Sequence, residues 1–292
     1  MKRLLQALGR QDWLQFGVRD SIIRAVFNPD RIPSHEFILK KFNGNAYPGN
    51  LDNFIDWSAF FYGAYEKELL EKVALPILRA DASPSLIDIG ANIGHHSIYL
   101  SSQCNAVHAC EPDPTCLAEF NRKIKISNAS NIQLHDVALG YENAEATLYS
   151  SSTRNKGTNS LISTHTSHNT IKHRVKVLNA DAFVGSLNLS SITLIKLDVE
   201  GYELNVLKGL TKTLSKFRPA IIVEISHTTR LQLVNAGASI CDLIPKNYRF
   251  YHLSIRKDLM FIRRVFVEEL PSDFLDTFDG EIVCIAEEKN IF

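Results

Sequence analysis

The sequence is poor in the residues and charge patterns that several functional classes require. Only five of its 292 residues are cysteine, with no C-x-x-C pair and no zinc-like spacing to histidine. We therefore expect buried thiols in a reducing compartment rather than a disulfide scaffold. Net charge is also lacking, because 32 lysines and arginines balance 32 aspartates and glutamates. Without a basic field, the sequence predicts no nucleic-acid partner and no attraction to acidic membranes.

Long apolar runs are missing from the N-terminal segment as well. Charged residues interrupt it at Arg10, Asp12, Arg19 and Asp20. Neither a signal sequence nor a membrane span is predicted, and we expect a cytoplasmic protein.

Apolar residues at helical spacing indicate one or two amphipathic helices before Pro29, and the stretch 36–50 has hairpin composition around Asn43 and Gly44. We predict a helical and hairpin cap over residues 1–50 and a larger domain over residues 51–292. A homodimer contact is the alternative role for the N-terminal helices.

A strand, a glycine turn and a helix follow one another over residues 85–97. The apolar strand ends at Asp88, and Gly90 and Gly94 lie in the loop, an arrangement typical of nucleotide-binding α/β sheets. Glu111 follows a second apolar strand 21 residues beyond Gly90, near the spacing at which a carboxylate accepts hydrogen bonds from ribose hydroxyls. The G-x-x-x-G spacing differs from the G-x-G-x-x-G of pyrophosphate-binding loops, which favours a ligand without phosphate.

Further apolar strands are predicted over residues 132–137, 192–197 and 220–225. Ligands of parallel sheets bind beyond the carboxyl ends of the strands, so we expect the acids found there to share one site. These acids are Asp88, Glu111, Asp136, Asp198 and Glu224, with Glu200, Glu203 and His227 close by in sequence. Asp136 is placed to meet a purine amine, with the capping of a turn as the alternative.

A polar segment, residues 153–173, separates two predicted strands. A connection of this length is typically a functional lid or a disordered surface loop, and both interpretations stay open. The stretch 157–160 within it is a candidate clamp for cofactor or acceptor.

Five motifs in order carry a resemblance to a known family. They are G-A-Y-E at 63–66, I-D-I-G-A-N-I-G at 87–94, E-P-D-P at 111–114, I-K-L-D-V-E-G-Y-E at 195–203 and I-V-E at 222–224. Between residues 63 and 226 the chain resembles the FkbM family of S-adenosylmethionine-dependent methyltransferases. The resemblance implies an α/β, Rossmann-like class I methyltransferase fold with helices on both faces of a seven-stranded, mostly parallel sheet whose last strand is antiparallel. It also implies methylation of a hydroxyl on a small-molecule, sugar or glycan, or natural-product acceptor.

The resemblance further assigns residues to S-adenosylmethionine. By position, Asp88, Gly90, Asn92 and Gly94 would line the methionine and ribose, Glu111 would hold the ribose hydroxyls, Asp136 and Ala138 would border the adenine, and Glu66 would reach the methionine end. The roles of His95 and His96 stay open.

A hydroxyl acceptor benefits from a base. We predict Asp198 as that base, with Glu200 or His227 as substitutes. The alternative is that Asp198 only orients the loop or the sulfonium. A divalent metal held by Asp198, Glu200 and Glu224 is a weaker alternative, and we predict no metal. Two other functions stay open, an NAD(P)-dependent oxidoreductase and a catalytically inactive scaffold.

Overall fold

The computed structural model describes residues 1–151, 161, 170–259 and 262–292. Its first part consists of two helices, a hairpin and a helical segment that contains a π-helical turn. In chain order these elements are α1 (Lys2–Gly9), α2 (Phe16–Val26), β1 (Glu36–Phe42), β2 (Asn45–Asn50), α3 (Phe54–Tyr62), α4 (Lys67–Leu69), the π turn (Leu70–Ala74) and α5 (Leu75–Arg79). The predicted helices and hairpin are confirmed, and Asn43 and Gly44 both have positive φ, as a tight hairpin turn requires.

The remainder alternates strands with helices and ends in three antiparallel strands. The elements are β3 (Ser85–Ile89), α6 (His95–Ser101), β4 (Ala106–Cys110), α7 (Pro114–Ser127), β5 (Ile132–His135), β6 (Ala138–Gly140), β7 (Ala144–Ser151), β8 (Thr170–Asn179), α8 (Ala180–Ser186), β9 (Leu194–Leu197), α9 (Glu203–Gly209), α10 (Thr211–Phe217), β10 (Ala220–Ile225), α11 (His227–Ala236), α12 (Ile240–Leu243), β11 (Tyr248–Leu259), β12 (Ile262–Glu269), a 3₁₀ helix (Ser272–Thr277) and β13 (Gly280–Ala286).

The main sheet has the strand order β12-β11-β13-β10-β9-β3-β4-β5. The strands from β10 to β5 are parallel, and β13 is antiparallel to both β10 and β11. The predicted α/β fold is confirmed, including the antiparallel last strand. The strand number is a correction, because β12 adds an eighth strand as a hairpin with β11. Only one face of this edge strand is packed, and the strand contains several charged residues. For this reason the sequence pattern did not predict it.

The parallel strands are buried because helices cover both faces of the sheet. Successive side chains on one strand enter opposite apolar clusters: Leu86 packs with one cluster and Ile87 with the other. The strand predicted to end at Val137 ends instead at His135, because the chain turns there and β6 joins β8 and β7 in a separate sheet. These packed layers hold the carboxyl ends of the central strands in fixed positions.

A third apolar cluster joins residues on both sides of position 50. It contains Ile23, Ile32, Leu51, Trp57, Phe61 and Tyr62. The domain boundary at residue 50 and the homodimer contact both stay predictions. Within the ranges that the structure describes, no helix is long and apolar enough to cross a bilayer.

Candidate active site

A cavity of about 300 Å³ opens at the carboxyl ends of β3, β4, β9 and β10. Eight of the residues predicted from the sequence line it. They are Glu66, Gly90, Asn92, Glu111, Ala138, Asp198, Glu200 and Glu224. Of the other predicted residues, Asp88, Gly94, Asp136, Glu203 and His227 do not belong to its lining.

The glycine turn brings β3 against the loop that follows β9. Gly90 has φ +83°, and a Cβ built there would lie 1.8 Å from the carbonyl oxygen of Asp198. A side chain therefore fits neither the backbone conformation nor the space. Gly94 also has positive φ, but its missing side chain leaves room for the ring of Phe120. Gly94 thus serves the packing of α7, while Gly90 shapes the cavity wall.

Glu111 is held rigidly at the edge of the cavity. Its Oε2 accepts a hydrogen bond from Asn92 N at 2.8 Å, and its Oε1 accepts one from Asp113 N at 2.7 Å. Asn92 adopts a left-handed conformation that directs its N–H to the carboxylate. Burial raises the pKa of Glu111 to about 7, although the two backbone N–H groups act against this shift. Each carboxylate oxygen keeps a lone pair for a further donor.

The cavity wall beyond Glu111 is apolar. It is formed by Val137, Ala138, Leu139, Leu148 and Leu161. Asp136 is exposed and lies outside this wall. Apart from Leu161 and the start of β8, the segment predicted as a lid, with the stretch 157–160, lies outside the described residues.

Asp88 lies beneath the turn and is fully buried. Its Oδ2 accepts a hydrogen bond from Ser97 Oγ at 2.6 Å, whereas its Oδ1 has no hydrogen-bond partner in the described part of the chain. Asp88 therefore anchors the start of α6 from below the cavity.

The opposite side of the cavity, at β9 and β10, is dense in charged groups. Lys196 Nζ donates to Asp198 Oδ2 at 2.8 Å, and both residues line the cavity with Glu200 and Glu224. Burial alone would raise the pKa of Asp198, but the Lys196 ammonium outweighs it and lowers the pKa. Burial, followed by the charges of Asp198 and Glu203, raises the pKa of Glu200 to about 8. Burial and the same Asp198 charge also raise the pKa of Glu224.

Glu66 reaches the cavity from the segment before α4. It has φ +50°, and its Oε2 lies 3.1 Å from His96 Nε2. Burial opposes the ionised form of Glu66, but His96 and then Lys196 lower its pKa. Glu66 is therefore an ionised group between the two sides of the site.

His95 supports this segment from the protein interior. Its Nε2 accepts a hydrogen bond from Tyr65 N at 3.0 Å, and its Nδ1 lies 3.2 Å from Tyr47 Oη. Tyr47 in turn accepts from Lys123 Nζ and donates to Asp56 Oδ1. Burial lowers the pKa of His95 well below its usual value. A neutral His95 thus links the N-terminal hairpin to the cavity wall at Tyr65.

Two further predicted residues, Glu203 and His227, lie outside the cavity lining. Glu203 accepts from the N–H groups of Val199 and Gly201, and Thr229 Oγ1 donates to it. It therefore braces the loop that carries Glu200. His227 is exposed at the start of α11.

Sequence reasoning did not assign a role to Lys196, Tyr65 or His96, which all line the cavity. A signal for Lys196 was present, because a lysine inside the apolar run of β9 must find a partner when that strand is buried. For Tyr65 and His96 no comparable signal existed, because their neighbours come from distant segments. Within the described residues, no group of three or more His, Cys, Asp or Glu is arranged to hold a metal ion.

The doubly wound sheet with its antiparallel last strand, and a cavity at the carboxyl edge of its parallel strands, define a protein of the class I methyltransferase fold. The chain belongs to the FkbM methyltransferase family, because the model of the methyltransferase FkbM domain matches residues 88–252, more than half of the 292 residues.

Two relatives and one solved structure illustrate the similarity. Methyltransferase 1 of Beauveria bassiana is 27% identical over an alignment of 205 residues, which covers 59% of this chain and 81% of the relative. The hexuronic acid methyltransferase AglP of Haloferax volcanii is 30% identical over 153 residues, which are 52% of this chain and 60% of the relative. The methyltransferase FkbM of Methylobacillus flagellatus KT is 20% identical with a TM-score of 0.40, over 69% of this chain and 43% of that one.

Proposed function

We propose that this chain transfers the methyl group of S-adenosylmethionine to a hydroxyl oxygen of a sugar or natural-product acceptor. Family membership supports methyl transfer and favours it over the NAD(P)-dependent oxidoreductase. The similarity to a hexuronic acid methyltransferase supports a sugar acceptor. The observation that carries the proposal is the cavity itself, in which an anchored carboxylate and an apolar wall face a group of carboxyls with unequal pKa values.

The residues present fit the cofactor. Glu111 keeps free lone pairs for the two ribose hydroxyls after its backbone hydrogen bonds are counted. The wall formed by Val137, Ala138 and Leu139 offers an apolar surface to the adenine. At the other end, Glu66 suits the amino group of the methionine part, and Lys196 suits its carboxylate. A cavity of about 300 Å³ lies at the lower end of the range of small-ligand sites.

When bound, S-adenosylmethionine supplies a methyl carbon that is already activated by its sulfonium. The protein must then hold the acceptor oxygen in line behind this carbon and accept its proton. The pKa values distinguish the candidate bases. Asp198 is held ionised by Lys196 and is a weak base, whereas Glu200, with a pKa raised to about 8, binds a proton readily near neutral pH. We therefore favour Glu200 as the base and Asp198 as the partner that sets its pKa.

Titration calorimetry and a transfer assay together test the proposal. We expect S-adenosylmethionine and S-adenosylhomocysteine to bind with one-to-one stoichiometry, and NADH to give no saturable heat. We also expect radiolabelled methyl to be incorporated into at least one compound in a panel of glycosides and hydroxylated polyketides. Saturable binding of NADH without binding of the sulfonium ligand would overturn the assignment. Cofactor binding without transfer to any hydroxyl acceptor would leave the inactive scaffold as the better description.

A further inference from the structure

Two consecutive histidines at the start of α6 contact two consecutive residues of the active-site wall. His95 Nε2 lies 3.0 Å from Tyr65 N, and His96 Nε2 lies 3.1 Å from Glu66 Oε2. The contact of His95 is to the backbone, whereas the contact of His96 is to a side chain. The two histidines therefore hold different parts of the same short segment.

This segment has an unusual backbone conformation at Glu66. Glu66 has φ +50°, in the left-handed region that residues other than glycine rarely adopt. Such a conformation persists only where the neighbouring groups fix it. Leu70 N donates to Glu66 O at 3.1 Å on the side of α4, and His95 contacts the chain at Tyr65 on the other side. The position of the Glu66 carboxylate in the cavity thus depends on both contacts.

The ring of His95 is fixed by two aromatic residues of the N-terminal hairpin. The residue is 2% exposed, and its ring centroid lies 5.2 Å from that of Phe42 and 5.3 Å from that of Tyr47, with both rings edge-on. Phe42 and Tyr47 are themselves stacked, with centroids 4.3 Å apart. This close packing opposes a turn of the imidazole ring. Nδ1 therefore keeps Tyr47 as its neighbour, and Nε2 keeps Tyr65.

The hydroxyl group of Tyr47 has a single proton, which it donates to Asp56. Tyr47 Oη lies 2.6 Å from Asp56 Oδ1, and the buried ion pair of Asp56 with Lys123 keeps this carboxyl ionised, so that it only accepts. Lys123 Nζ also donates to Tyr47 Oη, at 2.8 Å. Burial, followed by the charge of Asp56, raises the pKa of Tyr47 well above its usual value, and the phenol keeps its proton. Towards a third neighbour, Tyr47 Oη is therefore an acceptor.

His95 is this third neighbour, and its tautomer follows from the position of the Tyr47 proton. Nδ1 lies 3.2 Å from Tyr47 Oη and carries the ring proton, because Tyr47 has no second proton to donate. Burial lowers the pKa of His95 well below its usual value, so the ring holds one proton only. Nε2 thus presents a lone pair to the N–H of Tyr65. Tyr65 O lies 3.2 Å from the same nitrogen and would accept from it only in the opposite tautomer.

We infer that His95 is a positioning residue of the methyl-transfer site, held by Tyr47 in the tautomer with its proton on Nδ1. In this tautomer His95 fixes the backbone at Tyr65 and thereby places the Glu66 carboxylate for the amino group of S-adenosylmethionine. The N-terminal hairpin, through Tyr47, takes part in donor binding. This inference rests on the proposed function, which assigns Glu66 to that amino group.

Two ligands that share an adenosine part test this role. S-adenosylhomocysteine carries the amino and carboxylate groups of the amino-acid part, whereas 5′-methylthioadenosine lacks both and keeps the adenosine and the sulfur. Each ligand is titrated calorimetrically into the full chain and into its variants. Misplacement of Glu66 should weaken binding of S-adenosylhomocysteine about tenfold, the size of one charge-assisted contact, and leave binding of 5′-methylthioadenosine unchanged. A general loss of structure would weaken both.

Two substitutions of His95 separate its hydrogen bond from its packing. In His95→Gln the introduced amide oxygen can replace Nε2 as acceptor for Tyr65 N, whereas His95→Leu fills the space without an acceptor. We expect His95→Leu to show the tenfold loss and His95→Gln to retain most of the affinity. Tyr47→Phe removes the acceptor for the proton on Nδ1 and should weaken binding in the same selective way. Tyr248→Phe is the control, because it also removes a buried hydroxyl and its hydrogen bond, to Pro219 O, and it should change neither affinity.

Nuclear magnetic resonance tests the tautomer in the unaltered protein. In long-range proton–nitrogen correlation spectra of protein with isotopically labelled histidine, we expect His95 to show a protonated Nδ1 and an unprotonated Nε2. The signals are assigned by their loss in His95→Gln. In Tyr47→Phe the proton should move to Nε2, where Tyr65 O can accept it. A purely structural role of His95 would not require this change.

The outcomes separate this inference from the proposed function. A protonated Nε2 in the unaltered protein would overturn the inference, and so would an unchanged ratio of the two affinities in His95→Leu or equal losses in His95→Leu and His95→Gln. The midpoint of thermal unfolding shows which variants fold, and if His95→Leu does not fold, the tautomer and Tyr47→Phe decide. Methyl transfer with an unchanged ratio would overturn the inference alone. A His95-dependent ratio without methyl transfer to any hydroxyl would support the inference and overturn the proposed function.

Discussion

The two sides of the active-site cavity differ in the chemical groups that line them. At the ends of β3 and β4, the lining consists of a glycine turn, backbone N–H groups, apolar side chains and a single carboxylate, Glu111. At the ends of β9 and β10, it consists of Lys196, Asp198, Glu200 and Glu224, whose pKa values are shifted in different directions. The first side suits binding of a ligand of constant shape, and the second suits proton transfer.

The two sides are joined by the pairing of β3 with β9, and just beyond it Gly90 lies close against the carbonyl group of Asp198. Since no side chain fits between them, the glycine turn and the acidic loop hold a fixed distance. A change at this contact is expected to disturb both sides at once, whereas changes elsewhere should affect one side only.

Gly90→Ala should have the largest effect, because the new Cβ would lie 1.8 Å from the Asp198 oxygen at a positive φ. We expect the free energy of unfolding to fall by about 3 kcal/mol or more, with loss of cofactor binding. Urea denaturation and calorimetry measure the two effects. Gly185→Ala is the control, since a Cβ there meets nothing within 4 Å, and it should not destabilise the protein. Normal stability and cofactor affinity in Gly90→Ala would show that the contact does not couple the two sides.

Glu200→Gln should act on the acidic side alone. We expect the rate of methyl transfer to fall by about 10²-fold or more, with the affinity for S-adenosylmethionine little changed. In the unaltered protein, the rate should rise as the pH rises through about 8, because Glu200 must lose its proton before it can accept one. In Glu200→Gln this rise should disappear.

Substitutions at the other two predicted bases are the controls for this experiment. His227→Ala should leave the rate unchanged, because His227 is exposed and outside the cavity lining. Asp198→Asn should lower the pH at which the rate rises, because the negative charge that raises the pKa of Glu200 is removed. An unchanged rate in Glu200→Gln would identify another residue as the base.

Glu111→Gln should produce the smallest of the three effects, on the cofactor side alone. We expect the dissociation constant for S-adenosylmethionine to rise about tenfold, a free energy of about 1.4 kcal/mol for one charge-assisted contact. With the unaltered protein, the affinity should weaken as the pH falls below about 7, because protonation removes the charge of Glu111. The variant should lack this dependence on pH.

Asp136→Asn is the matched control for Glu111→Gln. Asp136 is exposed and outside the cavity lining, so its substitution should change the dissociation constant by less than about twofold, within the range of surface changes. An effect as large as that of Glu111→Gln would support the predicted position of Asp136 beside the adenine.

Much of the fold could be predicted from the sequence, because it depends on patterns within a few residues. Apolar runs of four to six residues predicted the buried strands, and the glycine at position 90 predicted the turn, in which Gly90 has positive φ. Strand β12 was not predicted, because an edge strand packs on one face only and its charged residues obscured the alternation of apolar and polar residues. The acids at the strand ends were also predicted as a group, because their positions at the ends of apolar runs can be recognised within a few residues of sequence.

The sequence by itself determined that a glycine turn and several carboxyls meet at one edge of a parallel sheet. Only the tertiary structure decided what each of them does, because burial and pairing depend on segments far apart in the chain. Lys196 and Asp198 form an ion pair, Glu203 braces the loop, and Glu200 keeps a raised pKa.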